Sequence, residues 1–388
     1  MSCKAVAALD RTFGLYLHLP FCRARCPYCG FFSLAGRDDL IDTYLHSLRH
    51  QAGEMAARPW ARQRRPATIF FGGGTPSLLG PERLADLLCH CLRHFRAPAG
   101  IEISLEVNPA TVDGPALACL RRAGFNRISI GVQSLDDRLL ARIGRIHSAA
   151  DAVRCVGLAR QAGFTNLGLD LMYGLPGQDA AAWRQTLEEA LALEPDHLSI
   201  YELTLEEGTR FARRAAAGEL NLPAEEEILA MMACTDGLLA EAGLERYEIS
   251  SYARPGLECA HNLNYWHNGS YIGLGAGAVS CLSGRRLAAV ADVEEFCRRL
   301  AAGEPVWSEE EELGVEARFR ETVVMGLRMV RGVSLAGLEG RFGLHAGSYY
   351  GDILARLVDQ GLLAVSDGFL YLTGRGLMVA DAVMAELV

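Results

Sequence analysis

Short strand-like runs alternate with segments of helical periodicity over the first two hundred residues of this 388-residue chain. The runs are 14–19, 67–71, 101–107, 127–132, 166–172 and 197–203. The helical segments between them are 37–57, 81–96, 112–123, 149–163 and 179–193. Because a strand that returns through a helix pairs in parallel with the strand before it, this alternation predicts an α/β fold with a parallel sheet. Six such units in series favour a partial (β/α)6 barrel over a flat sheet.

Polar residues follow each of the six runs. In parallel α/β folds the ligand-binding groups lie just past the carboxyl ends of the strands. In this chain those positions hold, in order, a cysteine-rich loop, the glycine run 72–77, Glu106, Gln133 with Ser134, Asp170, and Thr204 with Glu206. A polar group at every strand end predicts a single binding site at the mouth of the barrel.

The character of the chain changes twice after the sixth run. Residues 216–312 begin with a long helix and continue into 246–280, whose glycines, asparagines and aromatics predict irregular loop structure. Residues 313–388 show helical patterns followed by a hairpin around Asp367–Gly368, which is a winged-helix outline. We therefore expect a barrel over 1–215, an irregular extension over 216–312 and a winged-helix-like module over 313–388.

Composition and charge disfavour several classes of function. The chain is half apolar, has a net charge of −9 and contains no long basic run, so nucleic-acid binding is not expected. No apolar stretch approaches the roughly 20 residues of a membrane span. The first fifteen residues also lack the apolar core of a signal peptide. We therefore expect a soluble cytoplasmic protein with no integral membrane segment.

Three of the twelve cysteines, Cys22, Cys26 and Cys29, fall within eight residues. The other nine stand singly and are expected to act as small buried hydrophobes. The C-x3-C-x2-C spacing can turn three sulfurs toward one centre. Zinc would require a fourth ligand, and the strand pattern does not establish that the His18 side chain is oriented toward this loop. An iron–sulfur cluster held by three thiolates leaves one iron open. The amine and carboxylate of a small molecule could chelate that iron.

The cysteine loop after the first strand, with a glycine run after the second, resembles the signature of the radical S-adenosylmethionine (SAM) superfamily. In that family SAM chelates the open iron of a [4Fe–4S] cluster, and the reduced cluster can release a 5′-deoxyadenosyl radical. The stretches YLHLPFC, FFGGGTPS, EVNP, GVQS, GRIHS and DLMYGLPGQ further resemble the branch that contains oxygen-independent coproporphyrinogen III oxidase and the heme chaperone HemW. The resemblance covers nearly the whole chain, including its C-terminal module.

The resemblance implies a role for each matching residue. These residues are Cys22, Cys26 and Cys29 for the cluster, and Tyr16, Tyr28, Gly73, Gly74, Thr75, Glu106, Gln133, Arg145, Asp170 and Thr204 for SAM. Glu106 and Asp170 suit ribose hydroxyls or the amine, and Arg145 offers a fork for the carboxylate. Each residue has an ordinary structural alternative, such as a turn, a helix cap or an ion pair. Because one such group follows each strand, a shared role in binding SAM is favoured over separate structural roles.

Two departures separate this chain from the oxidase of that branch. The oxidase carries a further cysteine where this chain has Phe31, and it has a long N-terminal extension, whereas only 21 residues precede the cysteine cluster here. The stretch 261–266, HNLNYW, is instead similar to the HNxxYW motif of HemW-type proteins. A histidine can ligate heme iron and an aromatic ring can stack on a porphyrin, so His261, Tyr265 and Trp266 are the candidate heme contacts.

We therefore expect a heme chaperone that holds heme, a [4Fe–4S] cluster and SAM, and that delivers heme to respiratory heme proteins. The resemblance also allows a homodimer. His147 and His267 are rival heme contacts without a supporting motif. Two other functions stay open, a porphyrinogen oxidase and a radical SAM enzyme that modifies heme, because the sequence does not decide whether SAM is cleaved.

Overall fold

The computed structural model describes residues 11–282 and 284–388. Residues 1–10 lie outside the described residues. The expected start of the barrel and most of the signal-peptide prediction fall on them. The strands, in chain order, are β1 Thr12–Leu19, β2 Phe21–Cys22, β3 Leu34–Ala35, β4 Arg65–Gly73, β5 Glu102–Val107, β6 Arg127–Gln133, β7 Leu167–Tyr173, β8 His197–Glu202, β9 Glu245–Glu248, β10 Ser251–Ala253, β11 Tyr271–Leu274, β12 Val279–Leu282, β13 Arg285–Ala289, β14 Trp307–Glu312, β15 Val333–Ser334, β16 Leu363–Ser366 and β17 Phe369–Leu372.

The helices follow the sequence pattern closely. In chain order they are α1 Ile41–Ala57, α2 Pro59–Gln63, α3 Pro81–His94, α4 Gly114–Ala123, α5 Asp137–Arg142, α6 Ala149–Gln161, α7 Ala180–Leu191, α8 Arg210–Ala216, α9 Glu225–Glu241, α10 Ala260–Trp266, α11 Val293–Ala301, α12 Val315–Leu327, α13 Leu335–Phe342, α14 Ala346–Tyr350, α15 Asp352–Asp359, α16 Gly374–Leu377 and α17 Ala380–Ala385. The five helical segments predicted within the barrel are present as α1, α3, α4, α6 and α7. In the described part of the chain, no helix has the length and hydropathy needed to cross a bilayer.

Six long strands form the parallel part of one large sheet, in the order β1-β4-β5-β6-β7-β8. Every neighbouring pair among them runs parallel, so the predicted βαβ arrangement is confirmed. The sheet continues through β11, β12, β13 and β14 beyond β1, and through β10 and β9 beyond β8. Its two outer strands, β14 and β9, are not paired with each other across the described residues. The fold is therefore an open, partial barrel.

The segment 246–280 differs from its prediction, because it adds strands to both edges of the sheet instead of forming irregular loops. Its glycines serve close packing. A Cβ atom on Gly275 would lie 2.2 Å from the Tyr44 hydroxyl, and one on Gly273 would lie 2.3 Å from the Val279 carbonyl oxygen. The expectation of irregular structure is wrong here, since a high glycine content does not distinguish a loop from a strand that another backbone approaches closely.

The parallel strands turn one face to the helices and the other to the interior of the partial barrel. In β1 the odd-numbered residues from Phe13 to Leu19 are fully buried in the main apolar core. Because successive side chains of a strand point to opposite faces, Tyr16 points inward. The same alternation places Leu105 of β5 in the core and Glu106 in the interior. The interior is therefore lined by the polar half of each strand.

The C-terminal residues build a second apolar core. Helices α12 to α17 pack around the three-stranded sheet β15-β17-β16, with Phe319, Leu357 and Leu370 fully buried between them. The predicted hairpin joins β16 to β17, and its turn residues Asp367 and Gly368 have φ values of 52° and 77°. Positive φ at both positions matches the twist that two-residue hairpins favour. The division into three parts, with boundaries at 215 and 312, stays a prediction.

Candidate functional site

A cavity of about 680 Å³ opens at the carboxyl ends of the parallel strands. All but one of the residues assigned from the sequence line this cavity, and the exception is Trp266. Those brought together are Tyr16, Cys22, Cys26, Tyr28, Cys29, Gly73, Gly74, Thr75, Glu106, Gln133, Arg145, Asp170, Thr204, His261 and Tyr265. They come from distant parts of the sequence, and the parallel sheet places them at one mouth. Their roles toward cluster, SAM and heme stay predictions.

The cysteine loop lies directly against the glycine run that ends β4. The Gly74 N–H donates to the Leu19 carbonyl oxygen at 3.0 Å, and the Thr75 N–H donates to the Phe21 carbonyl oxygen at 2.8 Å. A Cβ atom on Gly74 would lie 2.8 Å from the Phe21 oxygen and 3.0 Å from the Cys22 sulfur. Only glycine leaves room for this approach. The glycine run therefore fixes the position of the cysteine loop at the cavity mouth.

Two side chains reach toward cysteine sulfurs. Thr75 Oγ1 lies 3.6 Å from Cys22 Sγ, and Arg145 Nη1 lies 3.7 Å from Cys26 Sγ. Burial raises the pKa of the Cys22 and Cys29 thiols, and the Thr75 hydroxyl opposes this rise at Cys22. The thiolate is the form that binds metals, and the Thr75 hydroxyl and the Arg145 charge both favour this form of Cys22.

The cysteine donor set fits an iron–sulfur cluster. Each of three thiolates in a cubane binds a different iron, so the sulfurs need not converge on one point. Within residues 11–282 and 284–388, no three His, Cys, Asp or Glu side chains are grouped around a single metal position. A hydrogen bond from the Cys29 N–H to the Cys26 carbonyl oxygen, 3.2 Å long, closes the turn that carries these side chains. Three soft donors on one ordered loop, with an open cavity beside them, suit a cluster that shares one iron with a ligand.

His18 supports the cysteine loop, a role that the sequence analysis missed. The Phe32 carbonyl can only accept, so His18 Nε2 donates to it, at 3.0 Å. His18 Nδ1 then accepts from the Tyr16 hydroxyl, also at 3.0 Å. Burial lowers the pKa of His18, which is consistent with a neutral ring that uses both nitrogens. The signal in the sequence that could have indicated this role was the position of His18 on the inward face of β1, just before the cysteine loop.

Two carboxylates form an acidic wall inside the cavity. Glu106 Oε2 accepts from the Gly73 N–H at 3.2 Å, and Asp170 Oδ1 accepts from the Ser129 hydroxyl at 3.0 Å. Burial, together with the nearby charge of Asp170, raises the pKa of Glu106 to about 8. Burial also raises the pKa of Asp170. Two carboxyl groups in one desolvated space favour a cationic ligand, because a neighbouring positive charge restores their ionised forms.

Gln133 approaches the cavity from the end of β6, and Arg145 approaches it from the loop between α5 and α6. The pairing of β6 with β7 shifts register between Gly131 and Gln133, and Gln133 has a φ of 67°, which is uncommon outside glycine. A bulge of this kind redirects a side chain at the end of a strand. Arg145 Nη2 donates to the Gly131 carbonyl oxygen at 2.8 Å, while its buried Nε has no partner among the described residues. Arg145 lines the cavity, so its guanidinium group is a candidate partner for a ligand carboxylate, as the sequence analysis predicts.

His261 forms part of the cavity floor. Its side chain is buried, its Nδ1 lies 2.7 Å from Thr68 Oγ1, and its Nε2 lies 3.2 Å from the Tyr265 hydroxyl. Its ring stacks on Phe70 with the centroids 5.1 Å apart. Burial lowers the pKa of His261 to about 3, so the ring is neutral. Both nitrogens are engaged, and a bond from Nε2 to a heme iron would have to displace Tyr265.

Trp266 lies away from the cavity, in contact with the C-terminal residues. The Arg328 guanidinium covers its ring at 4.4 Å from the centroid. Nearby, the Asn268 side chain donates to the Thr322 hydroxyl at 3.0 Å, and Arg341 donates to the Asn268 carbonyl oxygen at 2.9 Å. The HNLNYW stretch therefore connects the cavity floor to the C-terminal core, and Trp266 belongs to that connection.

Several further residues of the cavity were missed because the sequence reasoning considered strand ends only. Arg127, Ser129 and Ser199 also line the cavity, and all three are buried. They lie on the inward face of β6 and β8, in the middle or at the start of these strands. The period-two alternation of the strands was the signal that could have found them.

Comparison with known proteins places these features in a family. The sequence model of the Radical SAM superfamily matches residues 16–190, and that of the HemN C-terminal domain matches residues 314–379. "Heme chaperone HemW" of Bacillus subtilis is 34% identical over 95% of this chain and 97% of that protein. The protein of the same name from Mycobacterium tuberculosis is 37% identical over 97% of this chain and 94% of that protein. The solved structure of coproporphyrinogen III oxidase (HemN) from Escherichia coli, a radical SAM enzyme, is 25% identical, with a TM-score of 0.85 over 99% of this chain and 92% of that chain.

Proposed function

Because this chain belongs to the radical SAM superfamily and, within it, to the HemW family, we propose that it is a heme chaperone that delivers heme to respiratory heme proteins. The resemblance inferred from the motifs is thereby confirmed at the level of the family. The observation that carries the proposal is the similarity to HemW relatives along nearly the full length of both chains.

The cavity supports the cofactor part of this proposal. Cys22, Cys26 and Cys29 would hold the [4Fe–4S] cluster, which supplies one electron at a time when bound and reduced. The acidic wall, Glu106 with Asp170, would face the positively charged or hydroxyl groups of SAM. Glu106 of β5 and Asp170 of β7 would then share in binding and orienting SAM.

The floor of the cavity offers two candidate heme contacts. His261 and Tyr265 are the candidates, since both line the cavity. Trp266 is not proposed as a contact, because Arg328 covers its ring. His261 can reach an iron only after Tyr265 releases it, so heme binding at this position implies a rearrangement of the floor.

A porphyrinogen oxidase is the second candidate. The likeness to the E. coli coproporphyrinogen III oxidase favours it, since the two folds agree over almost the whole chain. Phe31 disfavours the oxidase function, because the resemblance to the oxidase implies a cysteine at this position. A radical SAM enzyme that alters heme itself is a third candidate, and the experiment described next distinguishes it from the other two.

The test uses the full chain, purified without air and reconstituted with iron and sulfide. Heme is titrated while the Soret band is followed, and an apo respiratory heme protein is then added as acceptor. We expect a shifted Soret band and heme transfer to the acceptor, with a weaker shift for His261→Ala.

Parallel reactions with SAM and a reductant separate the three functions. Coproporphyrinogen should remain unconsumed, and the heme recovered should keep its mass. Turnover of coproporphyrinogen would replace the chaperone proposal by the oxidase. A SAM-dependent change in the mass of the heme would identify a heme-modifying enzyme.

A further inference from the structure

Three exposed apolar side chains surround the mouth of the cavity. Phe31 is 71% exposed, Ile146 45% and Tyr201 42%, and each of them lines the cavity. We refer to these three residues as the apolar rim. They reach the mouth from three places, the cysteine loop, the loop between α5 and α6, and the end of β8. Large apolar side chains grouped around an opening mark a binding surface.

Two arginines stand beside the apolar rim. Arg23 and Arg25 lie between the first two cluster cysteines, are exposed, and line the same cavity. In the described residues, neither forms a hydrogen bond or an ion pair through its side chain. They differ in this from Arg83 and Arg298, two exposed arginines that are paired with carboxylates. Within the described residues the two guanidinium groups therefore have no carboxylate partner, and Arg25 acts electrostatically on the nearby Cys29 thiol.

We propose that the rim of the cavity binds the porphyrin of heme, with the two propionates paired to Arg23 and Arg25. The inference rests on the heme-chaperone function proposed above and adds a binding surface to it. Phe31 offers an aromatic face to the macrocycle, and Ile146 offers an aliphatic one. Guanidinium groups bind carboxylates through paired hydrogen bonds, so two arginines suit a flat apolar ligand with two carboxylates on one edge.

Acidic residues at the mouth give this ligand one orientation. Glu202 and Glu206 also line the cavity, and Glu206 packs 3.0 Å from the position of a Cβ atom on Gly30. These carboxylates repel the propionates, so the charged edge of the porphyrin turns toward Arg23 and Arg25. Attraction on one side and repulsion on another are how a site selects one orientation.

A docked protein is the competing occupant of this surface. A stable protein interface buries about 800 Å² on each partner, whereas the apolar rim consists of three side chains around an opening. The cavity behind the rim offers depth that a flat interface does not need. A small planar ligand therefore fits the surface better than a protein.

The test is a heme titration of the reconstituted full chain, followed by the Soret band. Phe31→Ala and the double variant Arg23→Gln with Arg25→Gln should each weaken heme binding about tenfold. Phe31→Leu should retain most of the affinity, because it keeps apolar contact. Iron and sulfide contents are measured for every variant, so that loss of the cluster is recognised.

A second ligand makes the test independent of mutations in the cysteine loop. The dimethyl ester of heme lacks both carboxylate charges, so the native chain should bind it about tenfold more weakly than heme. The ester should also bind the native chain and the double arginine variant equally well. Equal binding of heme and its ester by the native chain would contradict the pairing with arginine.

The control variants alter matched residues away from the cavity. Val365→Ala removes an apolar side chain that is 52% exposed, and Arg122→Gln removes an exposed arginine of α4. Both should bind heme with native affinity. If the native chain binds no heme, the chaperone proposal itself fails.

The remaining outcomes overturn the rim inference alone. If the native chain binds heme and the Phe31 and arginine variants bind it with the same affinity, the rim is not the porphyrin site. The chaperone function is then unaffected. If the Phe31 and arginine variants bind heme normally but fail to transfer it to the acceptor, the rim is a protein-docking surface instead.

Discussion

The acidic wall of the cavity should make SAM binding depend on pH. The pKa of Glu106 is raised to about 8 by burial and by the Asp170 charge, so at pH 7 about nine in ten free molecules carry a protonated Glu106. A cationic ligand stabilises the carboxylate and therefore releases this proton. We expect the affinity for SAM to rise about tenfold for each pH unit up to pH 8 and to level off above it.

Calorimetry on the anaerobic, reconstituted protein measures this coupling directly. Titrations in two buffers with different ionisation enthalpies give the number of protons released. With a pKa of about 8, we expect about 0.9 proton per SAM at pH 7 and about 0.1 at pH 9. Glu106→Gln should abolish the release, whereas Glu54→Gln, on the distant helix α1, should leave it unchanged. Asp170→Asn should move the pH midpoint downward, because it removes a charge that raises the pKa of Glu106.

The same carboxyl group predicts how the stability of the SAM-free protein varies with pH. Its folded pKa of about 8 lies above the ordinary value of 4.5, so its contribution is full below pH 4.5 and is lost as the pH rises toward 8. The Tm without SAM should therefore fall across this range, and less so in Glu106→Gln. A flat SAM affinity between pH 6 and pH 8, or proton release that survives Glu106→Gln, would refute the reasoning.

Three further changes test the packing around the cavity. Gly74→Ala places a Cβ atom 3.0 Å from the Cys22 sulfur, so we expect reconstituted protein with much less iron and sulfide, measured by chemical assay. Thr68→Val removes the partner of the buried His261 Nδ1 and should lower the free energy of unfolding by about 1–3 kcal/mol in denaturant titrations. Tyr265→Phe frees Nε2 of the same histidine, so heme affinity should stay equal or rise if this nitrogen binds the iron, and a loss would contradict that bond.

Local patterns in the sequence were sufficient to predict the core of the fold and the edge that carries the site. The alternation of strands and helices depends on neighbouring residues, and parallel pairing then brings Glu106 and Asp170 to the same mouth. The spacing of the three cysteines is likewise local. These features needed no knowledge of which distant segments pack together.

The features that the sequence did not reveal depend on contacts between distant segments. Strand β11 pairs with β1 across more than two hundred residues, and no local pattern specifies that partner. The role of His18 depends on where the loop places the Phe32 carbonyl. The burial of His261 depends on α10 packing against β4, which brings Thr68 beside it.

Helix geometry explains why Trp266 separates from the other two residues of its motif. His261, Tyr265 and Trp266 all lie on α10, where each residue turns the side chain by about 100°. Positions 261 and 265 are four residues apart and so share a face, which is the face toward the cavity. Position 266 is five residues from 261 and points about 140° away, toward Arg328 of the C-terminal core. A helical reading of HNLNYW therefore assigns its histidine and tyrosine to the cavity and its tryptophan to the contact between the cavity floor and the C-terminal core.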